Sequence, residues 1–371
     1  MPGIARAAAL VALLARVLVA QGAPAPAPAP APSAWQRAGT EGDALLANFA
    51  FAAGGRLDTL RLHFTTLGTL RRDARGVATN AVLVLHGTGG SGRGFLSNGY
   101  AGELFGPGQL LDTARHFIVL PDGIGHGRSS KPSDGLRARF PRYGYRDMVV
   151  AQERLLREHL GITRLRLILG TSMGCMHAFT WGWMFPAVAD GLAPMACLPT
   201  QIAGRNRMLR TLAMDAIRLD PAWQGGDYRT PPVAGLRTAL GVLFVMSSVP
   251  LQLQQQAPTQ AAADSAIRAF VDGRLRTTDA NDFLYQFDAS WDYDPSPHLE
   301  RIVAPVLHVN SADDEVNPPE LGIAERLHAR LPRARFVLLP TGPRTRGHGS
   351  HSVPPLWRDD LAAFLATLPP R

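Results

Sequence analysis

The chain has 371 residues, of which 46% are hydrophobic and 18% charged. That is globular composition with enough apolar material for one large core, and a mean hydropathy near zero excludes a multi-span membrane protein. The formal net charge is +8, but its arginines are scattered and no run of five or more basic residues occurs, so a nucleic-acid partner is not expected.

Met1 to Ala23 carries Arg6, an apolar run from Ala7 to Ala15 and small residues around Ala20 to Ala23. This layout predicts a signal peptide over 1–22 and an exported protein, periplasmic or secreted. Its apolar run is too short for a stable membrane span in the mature protein. Alternating Ala-Pro follows, read as an extended linker over 23–34, because proline fixes φ and removes a donor.

The folded domain is expected over 35–371, its regular structure starting near Asn48. Leu60 to Thr66 alternates and reads as a strand. Asn80 to His86, His116 to Leu120, Leu165 to Leu169, Pro305 to Asn310 and Arg335 to Leu339 are short apolar runs without alternation. Such runs suit strands buried on both faces of a parallel sheet. Tyr145 to Leu160 has a helical pattern ending at Gly161. Strand–helix alternation predicts an α/β fold, a mostly parallel central sheet with flanking helices. The rhythm breaks between about 199 and 297, read as a helical lid inserted over the carboxyl edge of the sheet, with Val249 to Pro258 polar and irregular. Cys175 and Cys197 read as buried free thiols, which behave as small hydrophobes. A disulfide is the alternative in an oxidising compartment.

Gly170-Thr171-Ser172-Met173-Gly174 is a G-x-S-x-G motif between a predicted strand and a helix, the context in which a serine hydroxyl stands exposed as a nucleophile. His86-Gly87-Thr88-Gly89-Gly90 follows an earlier strand. The backbone N–H groups of Thr88 and Met173 are the expected oxyanion hole. No G-K-[ST] ending supports a phosphate loop there, and His86 reads as structural. After Pro305 to Asn310, the loop Ser311 to Pro319 offers Asp314 as the triad acid, four before the first proline, with Asp313 as runner-up. After the last strand, His348 is the preferred base and His351 the alternative. Asp122, in the glycine-rich DGIGHGRSS loop, reads as structural. The chain order Ser, Asp, His is that of an α/β-hydrolase. No metal-ligand spacing is present, and no cofactor is implied.

The stretches GPGQLLDTARHFIVLPDGIGHGRSSKPS, DMVVAQERLLREHLGITRLRLILGTSMGCMHAFTWGWMFP and DAIRLDPAWQGGDY, with NAVLVLHGTGG and the C-terminal loops, resemble the homoserine O-acetyltransferase branch of the α/β-hydrolase superfamily. The similarity runs from about residue 49 onward. It implies an acyl-serine enzyme with a helical lid, Ser172 matching the nucleophile, Asp314 the acid and His348 the base, and it suggests a homodimer. The chain departs from the pattern at three places. Met214 stands where the lid arginine of R-x-A-I helps hold the homoserine carboxylate. Gly349 replaces the aspartate that meets the substrate amine, and Cys175 replaces a second glycine after the nucleophile. These departures remove two handles for an amino acid. The expected activity is therefore a serine hydrolase acting on a small-molecule ester or related acyl compound. O-acyl transfer from acyl-CoA to an alcohol is the alternative, and an inactive binding protein on the same fold is the reading of another class.

Overall fold

A computed structural model describes residues 33–370. The expected signal peptide and nearly all of the Ala-Pro linker lie outside the described residues. Ser33 and Ala34, assigned to the linker from sequence, belong to the fold. The Ser33 hydroxyl accepts from the Gln36 amide at 3.1 Å to cap α1 (Ala34–Ala38), and it donates to the Leu96 carbonyl at 2.6 Å.

Regular structure also begins earlier than Asn48. β1 (Thr40–Ala50) and β2 (Arg56–Leu67) form an antiparallel hairpin pairing Thr40 with Thr66 through to Ala50 with Arg56. Ala44 and Leu46 point inward, but Asn48 has φ +52°, and Phe49 is the next buried residue. That break in the period of two hides β1 from a pattern reading. Asparagine is among the residues that tolerate this conformation.

The sheet continues with β3 (Ala81–Leu85), β4 (Phe117–Pro121), β5 (Leu167–Thr171), β6 (Leu192–Met195), β7 (Val306–Ser311) and β8 (Ala334–Leu339), in the order β1-β2-β4-β3-β5-β6-β7-β8. β3 to β8 are parallel; β1 and β2 are antiparallel. Successive side chains feed opposite layers. In β3, Leu83 and Leu85 join one core with Met148 of α3 (Tyr145–Arg154) and Phe179 of α4 (Met173–Met184). Val82 and Val84 join the other with Tyr100 of α2 (Asn98–Leu104) and Phe364 of α11 (Arg358–Thr367). After β3 the chain crosses to β4 on one side, and β5 pairs on the other. The carboxyl ends of β3 and β5 therefore flank the point where strand order reverses, the usual place for a binding crevice in such sheets.

Between β6 and β7 lie α5 (Gly204–Arg218), α6 (Val233–Ser247), α7 (Pro250–Gln256), α8 (Gln260–Leu275) and α9 (Ala280–Asp288), with a core of their own that includes Met214, Leu240 and Phe283. The stretch expected to be irregular contains α7. Proline at its first helical position and a run of glutamines suit a helix start and body. α10 (Ile323–His328) connects β7 to β8. Among the described residues no single helix is long and apolar enough to cross a membrane.

Cys175 and Cys197 form a disulfide with Cα atoms 5.9 Å apart, correcting the expectation of free thiols. β5 and β6 are parallel neighbours. Cys175 lies one turn after the end of β5 and Cys197 two residues after β6, so the sheet itself brings the two sulfurs together.

Candidate active site

Ser172 stands between β5 and α4 with φ +54° and ψ −111°, a strained conformation for a residue with a side chain. The flanking glycines allow this turn. A Cβ on Gly170 would lie 1.9 Å from the Gly174 carbonyl oxygen, and one on Gly174 would lie 2.1 Å from the Leu85 carbonyl oxygen. The elbow packs backbone against backbone, and the serine hydroxyl is lifted to the sheet edge.

Three side chains from distant loops meet there. Ser172 Oγ is 2.8 Å from His348 Nε2. His348 Nδ1 is 3.0 Å and 3.2 Å from the two carboxylate oxygens of Asp314. Asp314, only 1% exposed, accepts from the amides of Val316 (2.8 Å) and Asn317 (3.2 Å) and from Asn317 Nδ2 (3.1 Å). Burial opposes its ionisation, but the His348 ring and these donors outweigh burial and hold the carboxyl below its ordinary value. The arrangement keeps an anion behind the imidazole and leaves Nε2 free to take the serine proton.

The alternatives fall elsewhere. Asp313 accepts from Ser311 Oγ and from Thr345 Oγ1 (2.8 Å), bracing the loop. The His351 ring lies edge-on to His348 with centroids 5.4 Å apart and does not bond to Ser172. Burial holds His351 down to about 3, and its Nδ1 is buried without a partner. Asp122 accepts from the amides of Gly92 (2.7 Å) and Arg128 (2.8 Å), closing its own loop and tying it to the segment after β3. His86 Nε2 accepts from the Gly123 amide at 2.9 Å, and its Nδ1 is 2.8 Å from the Gly87 carbonyl. That imidazole ties the HGTGG turn to the DGIGHG loop.

Thr88 lines the cavity beside Ser172, and Met173 opens α4, where the first amides of a helix have no intrahelical acceptor. The two expected oxyanion donors thus come from the turns after β3 and β5. Over them lies a cavity of about 330 Å³, lined on the lid side by Asn206, Arg210, Leu243, Phe270, Arg274 and Phe287. Met214 is not at this surface; it is buried in the lid core. Sequence reasoning missed Asn317, whose side chain bridges Asp314 and the Ala196 carbonyl (3.2 Å). It also missed the lid arginines, which come from separate helices with no diagnostic spacing.

A parallel sheet of this order, with a serine elbow after β5 and a helical insertion over its carboxyl edge, defines an enzyme of the α/β-hydrolase class. The family profile described as the alpha/beta hydrolase fold matches residues 80–344. A homoserine O-acetyltransferase of Geobacter sulfurreducens is 30% identical over 355 residues, covering 84% of this chain and 93% of that protein. Another, of Thermobifida fusca, is 38% identical over 231 residues, 56% of this chain and 58% of that protein, less than two thirds of its length. An acetylester hydrolase from Corynebacterium glutamicum has the same fold, with a TM-score of 0.77 at 22% identity, over 88% of this chain and 96% of that one. The chain belongs to the α/β-hydrolase family, in its homoserine O-acetyltransferase-like branch.

Proposed function

We propose that this protein is an O-acyltransferase working through an acyl-Ser172 intermediate. The observation that carries the reading is the unbroken relay from Ser172 Oγ through His348 to Asp314 beneath a lidded cavity. His348 Nε2 takes the serine proton as Oγ attacks the donor carbonyl. The amides of Thr88 and Met173 receive the developing oxyanion, each such donor contributing about 3 kcal/mol in the transition state. The leaving thiol or alcohol departs with the proton from His348. An acceptor hydroxyl then gives its proton to His348 and attacks the acyl carbon; the bond to Ser172 Oγ breaks, Oγ takes the proton back from His348, and the acceptor leaves as its ester. The acyltransferase names of the relatives support a hydroxyl acceptor.

Hydrolysis, with water as second nucleophile, is the competing reading. It is favoured by Met214 and Gly349, which stand where the branch places a cation and an anion for an amino-acid acceptor. The Cys175–Cys197 disulfide supports an exported protein, since disulfides persist in oxidising compartments.

The test is to supply acetyl-CoA or p-nitrophenyl acetate with and without homoserine, serine and simple alcohols, and to quantify O-acetyl product against acetate. Transfer predicts product growing at the expense of acetate as acceptor rises. Acetate alone at every acceptor concentration establishes hydrolysis. Ser172→Ala abolishes both outcomes; undiminished turnover in that variant overturns the site.

A further inference from the structure

A second cavity adjoins the one over Ser172. It holds about 320 Å³ and lies between residues 198–206, which lead from β6 into α5, and residues 315–323, which follow the triad acid. Leu198, Ile202, Val316, Pro318, Leu321 and Ile323 give it apolar walls. Met176, Asn206, Val316 and Asn317 line both cavities. Met176 sits one helical turn past the nucleophile, its amide donating to the Ser172 carbonyl at 3.2 Å, so the second cavity begins beside the reacting centre. Tyr293 Oη donates to the Leu198 carbonyl at 2.8 Å, and Asn206 Oδ1 accepts from Arg210 Nε at 3.0 Å. Asn317 Nδ2 serves Asp314 and the Ala196 carbonyl, and Arg205 pairs with Glu315 at 2.7 Å. These polar groups are satisfied within the protein and ask nothing of a ligand. Among the described residues, no buried polar side-chain atom lacking a partner lines this cavity, whereas Thr88, Arg274 and His351 carry such atoms at the catalytic one. Apolar walls with satisfied polar groups favour hydrocarbon over a polar ligand.

We propose that the second cavity receives a linear hydrocarbon chain of the substrate while the reacting carbonyl sits at Ser172. The proposal rests on the Ser172 site described above and extends its substrate class past the acetyl groups in the relatives' names. A chain on the acyl part and one on the alcohol part present the same apolar surface, so the experiment carries an arm for each. Each methylene taken out of water strengthens association about fourfold. An interaction made alike in the ground and transition states appears in kcat/KM.

The experiment uses the full chain. p-Nitrophenyl acetate, butanoate and hexanoate lengthen the acyl side; ethyl, butyl and hexyl acetate, followed by acid release, lengthen the alcohol side. We expect kcat/KM in one series to rise about tenfold or more from two carbons to six. Ile202→Trp, which puts an indole into the second cavity, should remove that rise while leaving p-nitrophenyl acetate within about twofold of wild type. The series that rises identifies the side bearing the chain. Flat series on both sides overturn the proposal. A rise that survives both Ile202→Trp and Leu321→Trp overturns it as well, because the chain then lies within the catalytic cavity. Circular dichroism establishes that each variant is folded, and if Ile202→Trp is not, Leu321→Trp, at an exposed position of the opposite wall, decides. A wild-type protein that turns over no ester refutes the acyl-transfer reading by itself, and the cavity is then read by calorimetric titration with methyl butanoate and hexanoate and with butyl and hexyl acetate. Binding of a six-carbon ester about tenfold tighter than its four-carbon partner, lost in the tryptophan variant, upholds the proposal; equal binding in both pairs overturns it.

Discussion

Two histidines stand within one 3-10 turn of each other at the site, and only geometry separates their roles. His348 Nε2 faces the Ser172 hydroxyl, and its Nδ1 faces a carboxylate that is itself held by two amides and a side-chain amide. His351 is near enough to pack on that ring but has no carboxylate behind it, and its Nδ1 bonds to nothing. Removing the relay member should cost what loss of a triad base costs, on the order of 10⁴-fold or more in acylation rate. Removing the packing neighbour should cost only positioning, on the order of tenfold to a hundredfold. We therefore expect His348→Gln to eliminate labelling of Ser172 by a fluorophosphonate, while His351→Gln slows it by no more than a hundredfold. Equal loss in both variants would show that the two rings act as one unit.

At the scale of elements, the disulfide joins the start of the helix that carries the nucleophile to the end of the neighbouring strand. It closes a segment with a sequence separation of 22, and a loop of that size contributes about 3 kcal/mol by restricting the unfolded chain. Cys175→Ala with Cys197→Ala should lower the free energy of urea unfolding by about that amount, with a somewhat steeper denaturant slope because the unfolded chain without the crosslink is less compact. A loss below about 1 kcal/mol would mean that packing around α4 already holds the elbow. The same elements show what was legible beforehand. β3, β4, β5, β7 and β8 were readable because strands buried on both faces leave continuous apolar runs. The loops carrying Ser172, Thr88, Asp314 and His348 were readable because they sit at the carboxyl ends of such runs. β1 was not, because Asn48 breaks its alternation, and α7 was not, because a glutamine-rich tract has no apolar face to reveal it. The disulfide was misjudged because two cysteines 22 residues apart have no sequence signature; pairing depends on β5 and β6 being neighbours. Arg210, Arg274 and Asn317 were invisible for the same reason: their meaning lies in what faces them across the lid or the loop.

Across the whole molecule, buried imidazoles make the fold sensitive to acid. His126, His177 and His308 are each no more than 2% exposed. Burial holds His126 and His308 down to about 3 and His177 well below its ordinary value, each with neighbouring histidines adding to the effect. In the native state all three stay neutral near pH 5, whereas in the unfolded chain they take up protons below about 6.5. The unfolded state therefore binds more protons as pH falls, and stability declines from about pH 6.5 toward 4, by up to about 1.4 kcal/mol per pH unit for each histidine. Two carboxyls act in the opposite sense. Burial raises Asp282 to about 6 and raises Asp147 above its ordinary value, so their native forms gain protons first. They offset part of the loss but not its sign, because His328, held down to about 4 mainly by burial, adds to the histidine side. Urea midpoints measured at half-unit steps from pH 7 to pH 4 should fall monotonically below about 6.5. Replacing His308 with a neutral residue of similar volume such as Gln should flatten the slope even where it lowers stability at pH 7. A midpoint that holds steady across that range would mean that these rings already share protons in the native core, and that the cost of charging them is borne somewhere other than the fold.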